Sequence, residues 1–177
     1  MKNLVSAVCC VALCCLPAVA QKKHAMKGGA AMTDQQFVDF AAQTDMTEAN
    51  LGQLAATNAS AQAVKDYAQT LVTDHTNDYN QVSAIAAKAG LTVPKGLDAE
   101  HQRMVAPFEK LKGAAFDRRY AQEMIAGHTK AVSIYTKESN DAQNADLKSY
   151  ASQTLPTLNK HLDGAKDLSK AKPAGKK

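Results

Sequence analysis

"YAQTLVTDHT" occupies Tyr67–Thr76, and "YAQEMIAGHT" occupies Tyr120–Thr129. The frame Tyr-Ala-Gln-x-(Leu/Met)-(Val/Ile)-x-x-His-Thr is thus written twice. In the first copy Tyr67, Leu71 and His75 recur every fourth residue, and in the second Tyr120, Met124 and His128 do the same. Side chains at that spacing share one face of an α-helix. Each copy therefore predicts an amphipathic helix with a histidine on its apolar stripe. The repetition predicts two similar helical halves, and it asks whether the histidines fill a core or hold a ligand.

The same periodicity extends on both sides of the two frames. Thr33 followed by Gln36 is a capping-box start, in which each residue's side chain answers the other's backbone N–H. From there Phe37, Phe40, Ala41, Thr44, Glu48, Leu51 and Leu54 predict a first helix over 34–57. A second stripe carries Val64, Tyr67, Leu71, His75, Tyr79, Val82 and Ile85 to a stop at Gly90. Residues 91–113 break the rhythm with Pro94, Gly96, Pro107 and Gly113, leaving room for a short helix over 98–111. A third long helix is predicted over 114–139, with Phe116, Tyr120, Met124, His128, Val132 and Tyr135 inside. After the turn "NDAQN", a fourth spans 145–169 with Leu147, Tyr150, Leu158, His161 and Leu168 inside. Pro156 lies within it, and an internal proline removes one backbone hydrogen bond and bends a helix at a cost of about 3 kcal/mol. A kink there is expected to help aim His161 inward.

Four long helices without a strand pattern predict an all-α fold. Short links join the first pair and the last pair, while the central link is long enough to cross from one end to the other. The expected architecture is a ferritin-like four-helix bundle with a long crossover between its second and third helices.

The two ends read differently. Lys2, the apolar run Leu4–Leu16 and the small-residue pattern closing at Ala20 predict a secretory signal peptide over 1–20. Val8 and Leu13 are too large for the position before a lipidated cysteine, so a lipoprotein is not expected. All four cysteines (Cys9, Cys10, Cys14 and Cys15) fall in that segment, so the mature chain is expected to be exported and free of disulfides. Residues 21–32 form a basic, Gly/Ala-rich linker, 33–169 the helical domain, and 170–177 a basic tail. The net charge is +4, with much of the excess at the ends. Central charges of mixed sign and an exported destination argue against nucleic acid as a partner. No later segment is apolar and long enough to span a membrane.

Five stretches carry a resemblance: "FAAQTDMTEANLGQLA" (40–55), "VKDYAQTLVTDH" (64–75), "FDRRYAQEM" (116–124), "HTKAVSIY" (128–135) and "LKSYASQTLPTLNKHL" (147–162). In that order they resemble the bacterial exported family known as domain of unknown function 4142, often labelled "predicted outer membrane protein". The resemblance implies a ferritin-like helical domain in the cell envelope and no established activity. The label itself finds no physical support, since no alternating barrel strands are present. Asp74-His75 fits the Asp-His pair the family carries in its second and third helices, whereas Gly127-His128 departs from it.

Three histidines sit on the apolar stripes of three helices: His75, His128 and His161. Glu48 sits on the stripe of the remaining one, and all four lie within about one turn of mid-length at 1.5 Å per residue. Imidazoles and a carboxylate converging inside a helical core suit one transition-metal ion such as Zn²⁺, Cu²⁺ or Fe²⁺. Asp78, one turn after His75, is a further ligand or a supporting group. The bland alternative is that each histidine hydrogen-bonds to Tyr67, Tyr120, Tyr150 or a core threonine. The di-iron pattern is missing, because Val72 and Ile125 stand where Glu-x-x-His needs its glutamates. Hydrolase, phosphate-loop and dinucleotide motifs are also missing. Asp98, Glu100, Glu138, Asp141, Asp163 and Asp167 read as solvated positions at helix ends and loops. The first functional reading is a non-enzymatic scaffold or interaction module of the periplasm or outer-membrane periphery, in contact with envelope components or other proteins. The alternative is a metal-binding or metal-buffering protein using the His/Glu cluster.

Overall fold

The computed structural model describes residues 32–171. The predicted signal peptide, nearly all of the basic linker and the end of the tail lie outside the described residues. Within them the regular structure is all α-helix, with five helices and no strand: α1 (Asp34–Asn58), α2 (Gln62–Lys88), α3 (Ala99–Lys110), α4 (Gly113–Asp141) and α5 (Ala145–Lys170). No helix among the described residues is long and apolar enough to cross a membrane.

Local chemistry accounts for the ends. The capping box of α1 forms as expected: the Thr33 hydroxyl takes the Gln36 N–H, and the Gln36 side chain takes the Thr33 N–H. α2 has no side-chain cap of its own. Asp117 of α4 supplies one from across the fold, accepting from the backbone N–H groups of Ser60 and Ala61, each at 3.0 Å. Asp34 does the same service at the other end, taking the N–H groups of Gln143 and Asn144 at 2.9 Å. Gly90 turns the chain out of α2 at a φ of 70°, a left-handed conformation that glycine adopts without strain.

The helices associate as two hairpins, α1 with α2 and α4 with α5. The hairpins meet through α1 against α4 and α2 against α5, and α3 lies along α1. Two apolar clusters fix the directions. One gathers the start of α1 (Phe37, Val38), the end of α2 (Val82, Ala86), the end of α4 (Tyr135) and the start of α5 (Leu147, Tyr150). The other gathers the opposite ends, with Leu51, Val64, Phe116, Tyr120 and Ala165, and adds Val105 and Phe108 of α3. Thus α2 and α4 run in the same direction, and the segment containing α3 carries the chain back along the molecule. Gln43 pins the approach to α3, donating to the Gly96 carbonyl at 3.0 Å and accepting the Asp98 N–H at 3.1 Å.

One sequence reading changes. Glu138 is not solvated: it is fully buried near the start of α1, and burial raises its pKa against the pull of the Met32 backbone and Lys137. α5 runs without interruption through Pro156. Both Pro156 and Ser152 are exposed, so the Ser152 carbonyl that loses its helical partner faces water.

Candidate metal centre

Each long helix contributes one side chain at the level between the two apolar clusters: Glu48 from α1, His75 from α2, His128 from α4 and His161 from α5. All four are buried, none more than 3% exposed. The three imidazoles face one another, with ring centroids 5.7 Å apart for His75–His128, 5.4 Å for His75–His161 and 5.2 Å for His128–His161. One ring nitrogen from each lies within 4.8 Å of the others.

Hydrogen bonds decide which nitrogen each ring turns inward. His75 Nδ1 is 2.8 Å from Asp45 Oδ1. His128 Nδ1 is 2.9 Å from the Met124 carbonyl, one turn earlier on its own helix. His161 Nε2 is 2.9 Å from Asp74 Oδ2. A carbonyl or carboxylate oxygen only accepts, so each of these nitrogens carries the hydrogen. In a neutral ring the other nitrogen then bears the lone pair. Those nitrogens are His75 Nε2, His128 Nε2 and His161 Nδ1, and all three are buried without a hydrogen-bond partner. Glu48 Oε2 is likewise buried without one, lying 3.1 Å from His75 Nε2 and 3.3 Å from His128 Nε2 outside hydrogen-bond geometry.

Electrostatics sort the protons. Burial opposes a charge on His75, but the Glu48 carboxylate 3.1 Å away and the hydrogen bond to Asp45 outweigh it and hold its pKa well above the usual imidazole range. Burial raises the Glu48 pKa, but the charges of His128 and His75 outweigh it and leave the net shift downward. Burial lowers His128, reinforced by the charge of His75 and opposed by Glu48. Burial also takes His161 down to about 4, against the hydrogen bond that its Nε2–H donates to Asp74. Asp45 is raised to about 7 by burial, with His75 pulling the other way. Without a bound ion at neutral pH, the site thus holds one imidazolium, one carboxylate and two neutral rings.

Glu48, His75, His128 and His161 converge, while Asp78 is not among the converging atoms and stands nearby, interacting with His75 and Asp45. Its carboxylate accepts from the Tyr150 hydroxyl at 2.7 Å and faces Thr154 at 3.4 Å, and the Tyr135 hydroxyl lies 2.9 Å from that of Tyr150. None of the tyrosines offered by the bland alternative hydrogen-bonds to one of these rings. Tyr67 donates to the His161 backbone carbonyl at 2.9 Å, and the Tyr120 hydroxyl is buried without a partner. Asp45 was missed, although Asp45-x-x-Glu48 is the spacing that puts two carboxylates on one helix face.

The sequence profile for a domain of unknown function (DUF4142) matches residues 19–168. The chain belongs to that family. No protein of curated function matches the sequence. Among solved structures, the fold is similar to a DUF305 fragment from Deinococcus radiodurans, with 20% identity over 80% of this chain and 100% of that one, at a TM-score of 0.67. It is also similar to CopM in its Cu(I)-bound form, with 13% identity, 78% and 96% of the two chains and a TM-score of 0.64. CopM in its Cu(II)-bound form matches at 14% identity over 80% and 98%, with a TM-score of 0.61. At these identities the likeness of this DUF4142 chain to those structures is one of fold.

Proposed function

We propose that this DUF4142 protein binds one transition-metal ion in the core of an exported, ferritin-like four-helix bundle, with His75, His128 and His161 as ligands and Glu48 as a fourth. α3 would be the crossover element. Asp45, the Met124 carbonyl and Asp74 would hold the rings in the ligating tautomer, the usual role of groups behind a metal's ligands.

One observation carries the reading. His128 Nδ1–H is committed to a carbonyl, so the Nε2 lone pair of the neutral ring stands 3.3 Å from a carboxylate oxygen. Two lone pairs at that distance repel in a buried setting unless a cation lies beside them. The proton on His75 serves in part, but it leaves His128 Nε2 and His161 Nδ1 unsatisfied. A metal ion is a single species that takes up all four orphaned atoms at once. Metal–nitrogen bonds of about 2.0–2.1 Å need ligand atoms about 3.3 Å apart, so the rings close in slightly on binding.

Three imidazoles and a carboxylate suit Cu²⁺ and Zn²⁺ better than Mg²⁺ or Ca²⁺, which prefer oxygen alone. The similarity of fold to CopM, described as copper-bound in both oxidation states, makes Cu²⁺ the first ion to test. The role that follows is metal binding or buffering in the periplasm, without catalysis. The test is a titration of metal-free mature protein with Cu²⁺ and with Zn²⁺, followed by calorimetry and, for copper, electron paramagnetic resonance. One equivalent bound through nitrogen ligands, lost in His128→Ala, is the expected result. No binding of either ion sinks the reading and leaves an envelope scaffold as the alternative.

A further inference from the structure

A cavity of about 310 Å³ opens between α2 and α5, and the buried side chains of His75 and His161 form part of its wall. Apart from Leu158 the rest of the wall is polar, with Asp74, Asp78 and Gln81 on α2 and Gln153 and Thr157 on α5. Among the described residues no lysine or arginine lines it. The Asp74 side chain is 38% exposed and reaches from the opening to His161 Nε2 at 2.9 Å. Behind that ring, His161 Nδ1 is buried and unpartnered.

We propose that this cavity is the loading vestibule of the metal centre, receiving a hydrated divalent cation and delivering it past Asp74 and His161 to the histidines. The inference rests on the metal reading above and adds the route. Size supports it: at about 30 Å³ per water, six waters of a hydrated cation take roughly 180 Å³. The cavity exceeds that. Chemistry supports it too, since two carboxylates attract a cation, and amide and hydroxyl oxygens replace its waters as they leave.

A second cavity approaches from the opposite side, between α1, α3 and α4, and touches Glu48 and Met124. It measures about 60 Å³, room for about two waters at the same allowance, and Lys130 lies in its wall. Glu100 and Glu123 line it as well, so size rather than charge separates the two routes: a hydrated dication does not fit there.

The two routes separate by rate. Cu²⁺ association with mature protein is followed by stopped-flow quenching of tyrosine fluorescence, and affinity is measured at equilibrium. Thr157→Phe, at an exposed position, narrows the large cavity without replacing a proposed ligand, and Gln81→Phe does so from the facing helix. Each is expected to slow association and dissociation about tenfold while affinity stays within about threefold, because both directions share one path. Met104→Trp, which blocks the small cavity, is expected to leave the rates unchanged. Wild-type association should also slow as salt rises. Unchanged rates in both phenylalanine variants, or slowing by Met104→Trp alone, overturn the vestibule while metal binding stands. Absence of binding by the wild type overturns the metal reading itself.

Discussion

Glu48 is the residue on which the two states of the centre turn. Without metal its carboxylate faces the His75 imidazolium, 3.1 Å away, with both side chains buried. Removing one member of a buried ion pair leaves the other uncompensated, which typically costs about 3–5 kcal/mol. Glu48→Gln keeps the volume and removes the charge, so it should destabilise the metal-free protein by about that amount, read as a shift in the urea midpoint. An unchanged midpoint would mean that His75 is neutral in the folded protein. His75, His128, His161 and Glu48 were legible in the sequence because each falls on a stripe with a period near 3.6. Asp45 was not, because the buried face of α1 is wider than a single stripe. α2, α4 and α3 all pack on that helix, so Gln43, Asp45 and Thr47 are buried beside Glu48. A pattern read against one core surface cannot see a helix enclosed on three sides.

At the scale of an element, helix extents followed closely from spacing and punctuation, while end chemistry did not. α1 supplies its own capping box in adjacent residues, which a sequence displays directly. The start of α2 is capped by Asp117, far along the chain, and only tertiary structure reveals that partner. Pro156 shows a related limit. Its position within α5 was plain, but its cost depends on which way it faces. On the solvent side, water satisfies the Ser152 carbonyl and the helix continues. Pro156→Ala restores one helical hydrogen bond and replaces the poorest helix former with the best. It is expected to raise the melting midpoint by an amount corresponding to at most about 3 kcal/mol. If the proline also aims His161, which lies just over one turn further on, the same variant should bind Cu²⁺ more weakly. A crystal structure of the variant with His161 unmoved, together with unaltered affinity, would leave Pro156 with no part in the site.

Across the whole molecule, the three histidines tie the two hairpins together through one site, so proton and metal should both report on global stability. The His75 pKa is raised in the folded state, and a group of that kind stabilises fully below its unfolded value of about 6.5. That contribution is lost as pH rises through the folded value. The metal-free protein should therefore weaken toward alkaline pH. A bound ion takes the place of the His75 proton, so its uptake releases that proton. His128 and His161 are already neutral near pH 7, because burial holds both below the usual range. Apparent affinity should then rise about tenfold per pH unit while His75 remains protonated in the metal-free state, adding about 1.4 kcal/mol of stabilisation per unit at saturating ion. This differs from the simple competition near pH 6.5 that ordinary imidazoles would give, because the strongest competitor is one ring whose pKa the fold has raised. Single changes of His75, His128 and His161 to alanine should each abolish most of the metal-dependent gain, so their effects will not add. Thermal melts of the wild type and the three variants, with and without Cu²⁺ between pH 6 and pH 8, measure all of this together. A metal-dependent gain that stays flat across that range would show that no proton leaves His75 on binding, and additive losses would show that the three rings do not share one ion.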